Sequence, residues 1–97
     1  MEAPAPQVLC FAVRGPIARA DLPGLCDRLC RLLTGSGDAP VAFCDVDDVG
    51  VDAVTVDALA RLQLAARRRG CRIRLRGASA ELRALVAFMG LTDVLPE

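Results

Sequence analysis

The chain has 97 residues, 54% of them hydrophobic, and a formal net charge of zero. One domain of this size buries roughly 65% of the surface its unfolded chain exposes, enough for a modest core without staples. Three Phe, no Trp and no Tyr leave little for stacking on bases, which argues against a nucleic-acid binder.

The charge is unevenly spread. Six Asp and no base lie between Asp38 and Asp57, whereas eight Arg face only Glu81 between Arg61 and Arg83. Such segregation makes two solvated faces, or a dipolar surface that docks a charged partner. All twelve basic residues are Arg, as in proteins of GC-rich bacteria.

Gln7 to Val13 is a near-continuous apolar run, the pattern of a strand covered on both faces. Arg14-Gly15-Pro16 turns the chain. Asp21 then stands where it could cap a helix whose Leu22, Leu25, Cys26, Leu29 and Leu32/Leu33 follow the i, i+3, i+4, i+7 spacing; Pro23 is tolerated in the first turn. Gly35-Ser36-Gly37-Asp38 ends it. Val41 to Val46 predicts a second strand, followed by an acidic loop. A helix from about Thr55 to Arg69, with Val56, Leu59, Ala60, Leu62, Gln63 and Ala66 in its apolar arc, stops at Gly70. Thr55 reads as its cap. Cys71 to Leu75 is a third strand that alternates with arginines, so one face or edge must meet water or an acidic partner. Ser79 caps a last helix carrying Leu82, Leu85, Val86 and Met89, and Val94-Leu95 could add a fourth strand. The expectation is a single α/β domain over residues 1–97, β-α-β-α-β-α-β, with a mostly parallel sheet of about four strands, three helices and a flexible stretch over residues 1–6. Strands joined by a helix of this length must run parallel.

The chemistry on offer is sparse. Without His, general acid–base work would rest on Asp alone, and no nucleophile–base pair is evident, so an enzyme is not expected. Gly15 and the Gly35/Gly37 pair match neither a dinucleotide nor a P-loop fingerprint. Asp45, Asp47, Asp48 and Asp52 lack the spacing of a calcium loop. Five cysteines without a CxxC pair read as small hydrophobes in a reducing compartment rather than as disulfides or a zinc site. No metal or cofactor is expected. Met1 to Pro6 does not read as a signal peptide, and no apolar run reaches the ~18 residues that cross a bilayer, so a cytoplasmic protein without membrane insertion is expected. The loop after the second strand lies at that strand's carboxyl end, where open α/β sheets put their working groups. Asp52 and Thr55 are therefore the first candidates. Thr55 could also accept phosphate at a helix N-terminus.

Arg14-Gly15-Pro16-Ile17, the strand ending near Asp45, Asp52 before the second helix, Gly70, and Met89-Gly90-Leu91 together resemble the STAS domain family of sulfate transporters and anti-sigma factor antagonists. The resemblance runs from about Gln7 to Leu95. It implies a small, mostly parallel sheet with packed helices and a binding role without catalysis. The family's Asp-Ser-Ser-Gly loop, whose second serine is phosphorylated by a partner kinase, is altered here to Asp52-Ala53-Val54-Thr55. Counted from Asp52, the acceptor is Val54; counted from Asp45, it is Thr55. Val56, Leu59 and Leu62 meet the family's apolar helix positions in the first register, which is therefore preferred. The resemblance implies an anti-sigma factor antagonist-like domain that binds an anti-sigma factor or kinase-like ATPase without the serine switch. Asp52, Ala53, Val54, Thr55, Asp57 and Arg61 would form the contact surface. The alternative is a cytosolic STAS subunit of a lipid-transporting ABC system that docks on its ATPase. The family's amino-terminal strand is not evident before Gln7, and a bare sheet edge there would invite a partner or a homodimer.

Overall fold

Apolar runs alternating with amphipathic stretches fold here into two consecutive β-α-β passages. The structure, a computed structural model, describes residues 9–15, 17–35 and 41–97. In chain order they form β1 (Leu9–Gly15), a 3-10 turn (Arg19–Asp21), α1 (Leu22–Gly35), β2 (Val41–Val49), α2 (Ala53–Arg68), β3 (Arg72–Arg76) and α3 (Ala80–Phe88). The stretch 1–6, the start of the first predicted strand and the 36–38 connection lie outside the described residues.

β2 is the central strand and runs parallel to both neighbours, with Phe43 opposite Cys10 on β1 and opposite Arg74 on β3. The register shifts between Ala12 and Arg14, so Arg14 comes opposite Asp48. Two crossovers that advance in one direction with the usual right hand put both helices on the same side of a sheet. Burial follows that rule. Phe11, Val13, Ala42, Cys44, Val46, Ile73 and Leu75 are buried, and Leu29, Leu59, Leu62, Leu82 and Val86 from the three helices belong to the same core. The alternate residues Cys10, Ala12, Val41, Phe43, Arg72, Arg74 and Arg76 are half-buried or exposed. The expectation of a first strand covered on both faces is thus corrected: among the described residues, helices cover one face, as the arginine alternation of β3 already required. An apolar run cannot reveal this, because small residues such as Ala12 and Cys10 sit on either face at little cost.

Two local expectations are also corrected. Asp21 does not cap α1; it lies in the 3-10 turn, where its carboxylate accepts from Ala18 N–H at 2.9 Å. Val94 and Leu95 do not add a strand, since their amides bond back to the Leu91 carbonyl at 3.0 and 2.9 Å. The outer edge of β3 is occupied by other groups. Gln63 of α2 exchanges two hydrogen bonds with Ile73, and Leu75 N–H donates to the Pro96 carbonyl at 2.7 Å. An edge strand whose polar groups are satisfied this way offers no template for another strand.

Candidate functional site

β2 delivers the chain to residues 50–52, where helix α2 must begin with free N–H groups. Asp52 is the cap. Its extended backbone (φ −147°, ψ 166°) lets its Oδ1 accept from Thr55 N–H at 2.7 Å, while its carbonyl accepts from Val56 N–H at 3.2 Å. Thr55 is therefore not the cap but the third residue of the helix. Its side chain is 0% exposed, and Oγ1 is buried with no hydrogen-bond partner. The hydroxyl that sequence reasoning left as a possible phosphate acceptor points into the protein. A kinase could reach it only after the start of α2 had opened.

The outward face of the same turn forms a groove of about 450 Å³. Ala53, Val54, Asp57, Ala58 and Arg61 supply its α2 side, Arg19 comes from the 3-10 turn and Leu22 from the start of α1, and Met89 caps the end of α3. Arg61 Nε donates to Asp57 Oδ2 at 2.9 Å, an exposed pair one helical turn apart. Phe88, next to Met89, is 89% exposed. The floor is small and apolar, and the rim carries charge of both signs. Such a site is suited to holding a protruding side chain of another protein.

Of the six residues expected at the contact surface, Ala53, Val54, Asp57 and Arg61 line this groove, whereas Asp52 caps and Thr55 is buried. Val56, Leu59 and Leu62 are fully or almost fully buried and Asp57 is half-exposed, the helix orientation on which the Val54 register was preferred. Arg19, Leu22, Ala58 and Met89 escaped sequence reasoning, because nothing local says that three helix ends meet. In the sequence Gln63 is a polar residue inside an apolar arc. That misfit is the local signal of its role, since a buried amide must find partners.

The acidic run is dispersed rather than gathered. Asp45 Oδ1 accepts from Asp47 N–H at 3.3 Å, Asp48 lies opposite Arg14 and Asp52 is the cap. Among the described residues no three His, Cys, Asp or Glu side chains are placed to hold a metal ion. The cysteines differ from one another. Cys44 and Cys71 are buried, Cys26 and Cys30 half-buried, and Cys10 is exposed on β1, contrary to its expected burial. Burial pushes the Cys44 thiol up to about 12, with Asp45 adding to it, and burial raises Cys71 and Cys26 as well.

No helix among the described residues is long and apolar enough to cross a membrane. The fold is shared with the STAS domain of a SulP transporter from Vibrio cholerae (TM-score 0.71, 15% identity, covering 97% of this chain and 71% of that one). A sulfate transporter family protein from Wolinella succinogenes matches with a TM-score of 0.62 and 25% identity, over 91% of this chain and 70% of its own. No curated protein matches the sequence. The family profile described as "Mlab, STAS domain" matches residues 3–96. With its parallel sheet, its capped second helix and that match along nearly its whole length, the chain belongs to the STAS domain family.

Proposed function

We propose that this STAS domain is a non-catalytic docking module that binds its protein partner constitutively through the groove at the start of α2, as a cytosolic subunit of transport machinery. One observation carries the reading. In the register counted from Asp52, the family's switch position falls on Val54, half-buried in the groove wall, and the neighbouring hydroxyl of Thr55 is sealed inside. A surface without a modifiable group cannot be turned off by phosphate charge. The small apolar floor provides the centre that a protein interface needs to bury. The Wolinella relative, a sulfate transporter family protein at 25% identity, favours the transport setting.

The second reading, an anti-sigma factor antagonist without a serine switch, is favoured by the Asp52 loop register. Both use the same groove and differ in the partner. Affinity purification of the tagged protein from its own host, beside a Val54→Arg variant, separates them. Recovery of an ATP-binding-cassette ATPase and permease, lost with Val54→Arg, supports the transport reading. Recovery of a kinase-like ATPase together with a sigma factor supports the second. Partners retained at full yield by Val54→Arg would remove the groove from either account.

A further inference from the structure

All-parallel sheets are almost always covered on both faces. Here the helices lie on one face, and no described helix or strand covers the other. The bare face has a specific chemistry. Phe43 and Val41 of β2, with Ala12 of β1, form a half-buried apolar strip. Beside it, β3 raises Arg72, Arg74 and Arg76, all exposed and all on this face. Arg76 stands over the Phe43 ring, 5.7 Å from its centroid. Arg74 donates from Nε to the Glu97 carbonyl oxygen at 3.0 Å and also from Nη2 to the same atom. Neither Arg72 nor Arg76 makes an ion pair with any described residue.

The geometry points to this face as the docking surface for an amphipathic helix of a partner protein, one that carries Asp or Glu at every fourth position beside an apolar stripe. Alternate residues of a strand are rooted about 6.6 Å apart. Residues four apart on an α-helix advance about 6 Å. A helix laid along β3 therefore sets three successive carboxylates against the three arginines and its apolar stripe against Phe43 and Val41. Such a helix would complete the missing layer of the fold.

Two other occupants fit less well. A second copy of the chain has no such helix, since α1, α2 and α3 each contain a single acidic residue (Asp27, Asp57 and Glu81). An anionic bilayer is uniformly negative and would bring charge against Asp45 and Asp47 at the carboxyl end of β2 on this same face as well as against the arginines, whereas a helix laid along β3 confines its carboxylates to the arginine row. This surface is separate from the α2 groove and does not depend on it.

Replacing Phe43 with the photo-crosslinking residue p-benzoylphenylalanine in the native host tests the assignment. The expected product is a protein whose crosslinked peptide is a helix with carboxylates at four-residue spacing. Its yield should fall several-fold in Arg72→Glu and further in Arg72→Glu/Arg76→Glu, should survive Arg72→Lys, and should be unchanged by Val54→Arg. Thermal melts of each variant confirm that the fold persists, and Arg72→Glu alone suffices should the double variant unfold. A lipid adduct, a crosslink to a second copy, a peptide without acidic residues, no adduct at all, or a yield indifferent to Arg72→Glu would each overturn the proposal.

Discussion

The Gln63 side chain acts as a neighbouring strand to Ile73: its Oε1 accepts from Ile73 N–H at 2.7 Å and its Nε2 donates to Ile73 C=O at 2.8 Å. The same Nε2 also donates to the Val94 carbonyl at 2.7 Å, tying α2, β3 and the carboxyl-terminal turn at one point. The residue is 1% exposed, so water cannot replace these bonds. Gln63→Leu should leave one N–H and two carbonyls short of partners. A buried unsatisfied group costs ~1–3 kcal/mol, and the two Ile73 groups are the fully enclosed ones, so a loss of about 2–4 kcal/mol is expected. For a domain of this size that lowers Tm by roughly 10–25 °C, readable in a calorimetric melt. Gln63→Glu keeps the acceptor but loses the donor when ionised, so its melting temperature should recover as pH falls toward 5. A Gln63→Leu variant that melts with the wild type would show that the bonds carry no net stability.

Thr55 offers the opposite case. Its hydroxyl is buried without a partner. Thr55→Val keeps the shape and removes the unsatisfied group, and should be neutral or stabilise by up to ~1–2 kcal/mol. Asp52→Ala removes the carboxylate that holds Thr55 N–H and should cost about 1 kcal/mol. Chemical denaturation of both variants checks the pair. It follows that Asp52→Arg is a poor probe of partner binding, because it uncaps α2, whereas Val54→Arg leaves the cap in place.

Phosphorylation gives a sharper test of the Val54 register. Protein purified from its own host should show no phosphate on the peptide that carries residues 52–55 by mass measurement, because Val54 has no hydroxyl and that of Thr55 is enclosed. A stoichiometric gain that vanishes in Thr55→Val would place the acceptor at Thr55 and require α2 to open for modification.

Gly77 follows β3 with φ +74°, and a Cβ there would come within 3.1 Å of Asp47 Cβ and 3.2 Å of Asp45 Oδ1. Gly77→Ala therefore meets both left-handed strain of ~1–2 kcal/mol and a crowded acidic turn. A fall in denaturation midpoint of at least that size is expected. Gly77→Asn, which tolerates the conformation better but fills the same space, separates the two effects.

Alkaline stability should report Cys44. Its folded thiol is raised from 9.0 to about 12. Between those values the unfolded chain gives up a proton that the folded one keeps, so the folded state binds more protons and its stability falls as pH rises. The contribution is fully present below pH 9 and declines by ~1.4 kcal/mol per pH unit above it. The chain has no Lys or Tyr to titrate in that window. Cys71 and Cys26, raised in the same direction, add to the slope. Urea midpoints from pH 8 to 11 should decline less steeply in Cys44→Ala than in the wild type.

The sequence by itself determined the order of the three strands and three helices, though not that Val94-Leu95 forms a turn instead of a fourth strand, and it determined much of the core. Those follow from periodicity: Val56, Leu59, Leu62 and Ala66 recur at helical spacing and all are buried, and the alternation of Arg72, Ile73, Arg74 and Leu75 sets one side of β3 inward. Ser79 at the start of α3, whose side chain accepts from Leu82 N–H, was legible for the same local reason. Only the tertiary structure decided which hydroxyl is sealed and which carboxylate caps, because Asp52 and Thr55 both suit the start of a helix and a one-turn choice depends on where β2 releases the chain. It alone decided that the described helices all cover the same sheet face, since helix placement follows from crossover direction, which no local pattern encodes. The groove of Val54, Arg19 and Met89 and the bonds of Gln63 to Ile73 and Val94 join residues ten to seventy positions apart. Hydrophobic periodicity says which side of each element faces inward; which polar groups then meet is settled by packing, where every buried donor and acceptor competes for the few partners within reach.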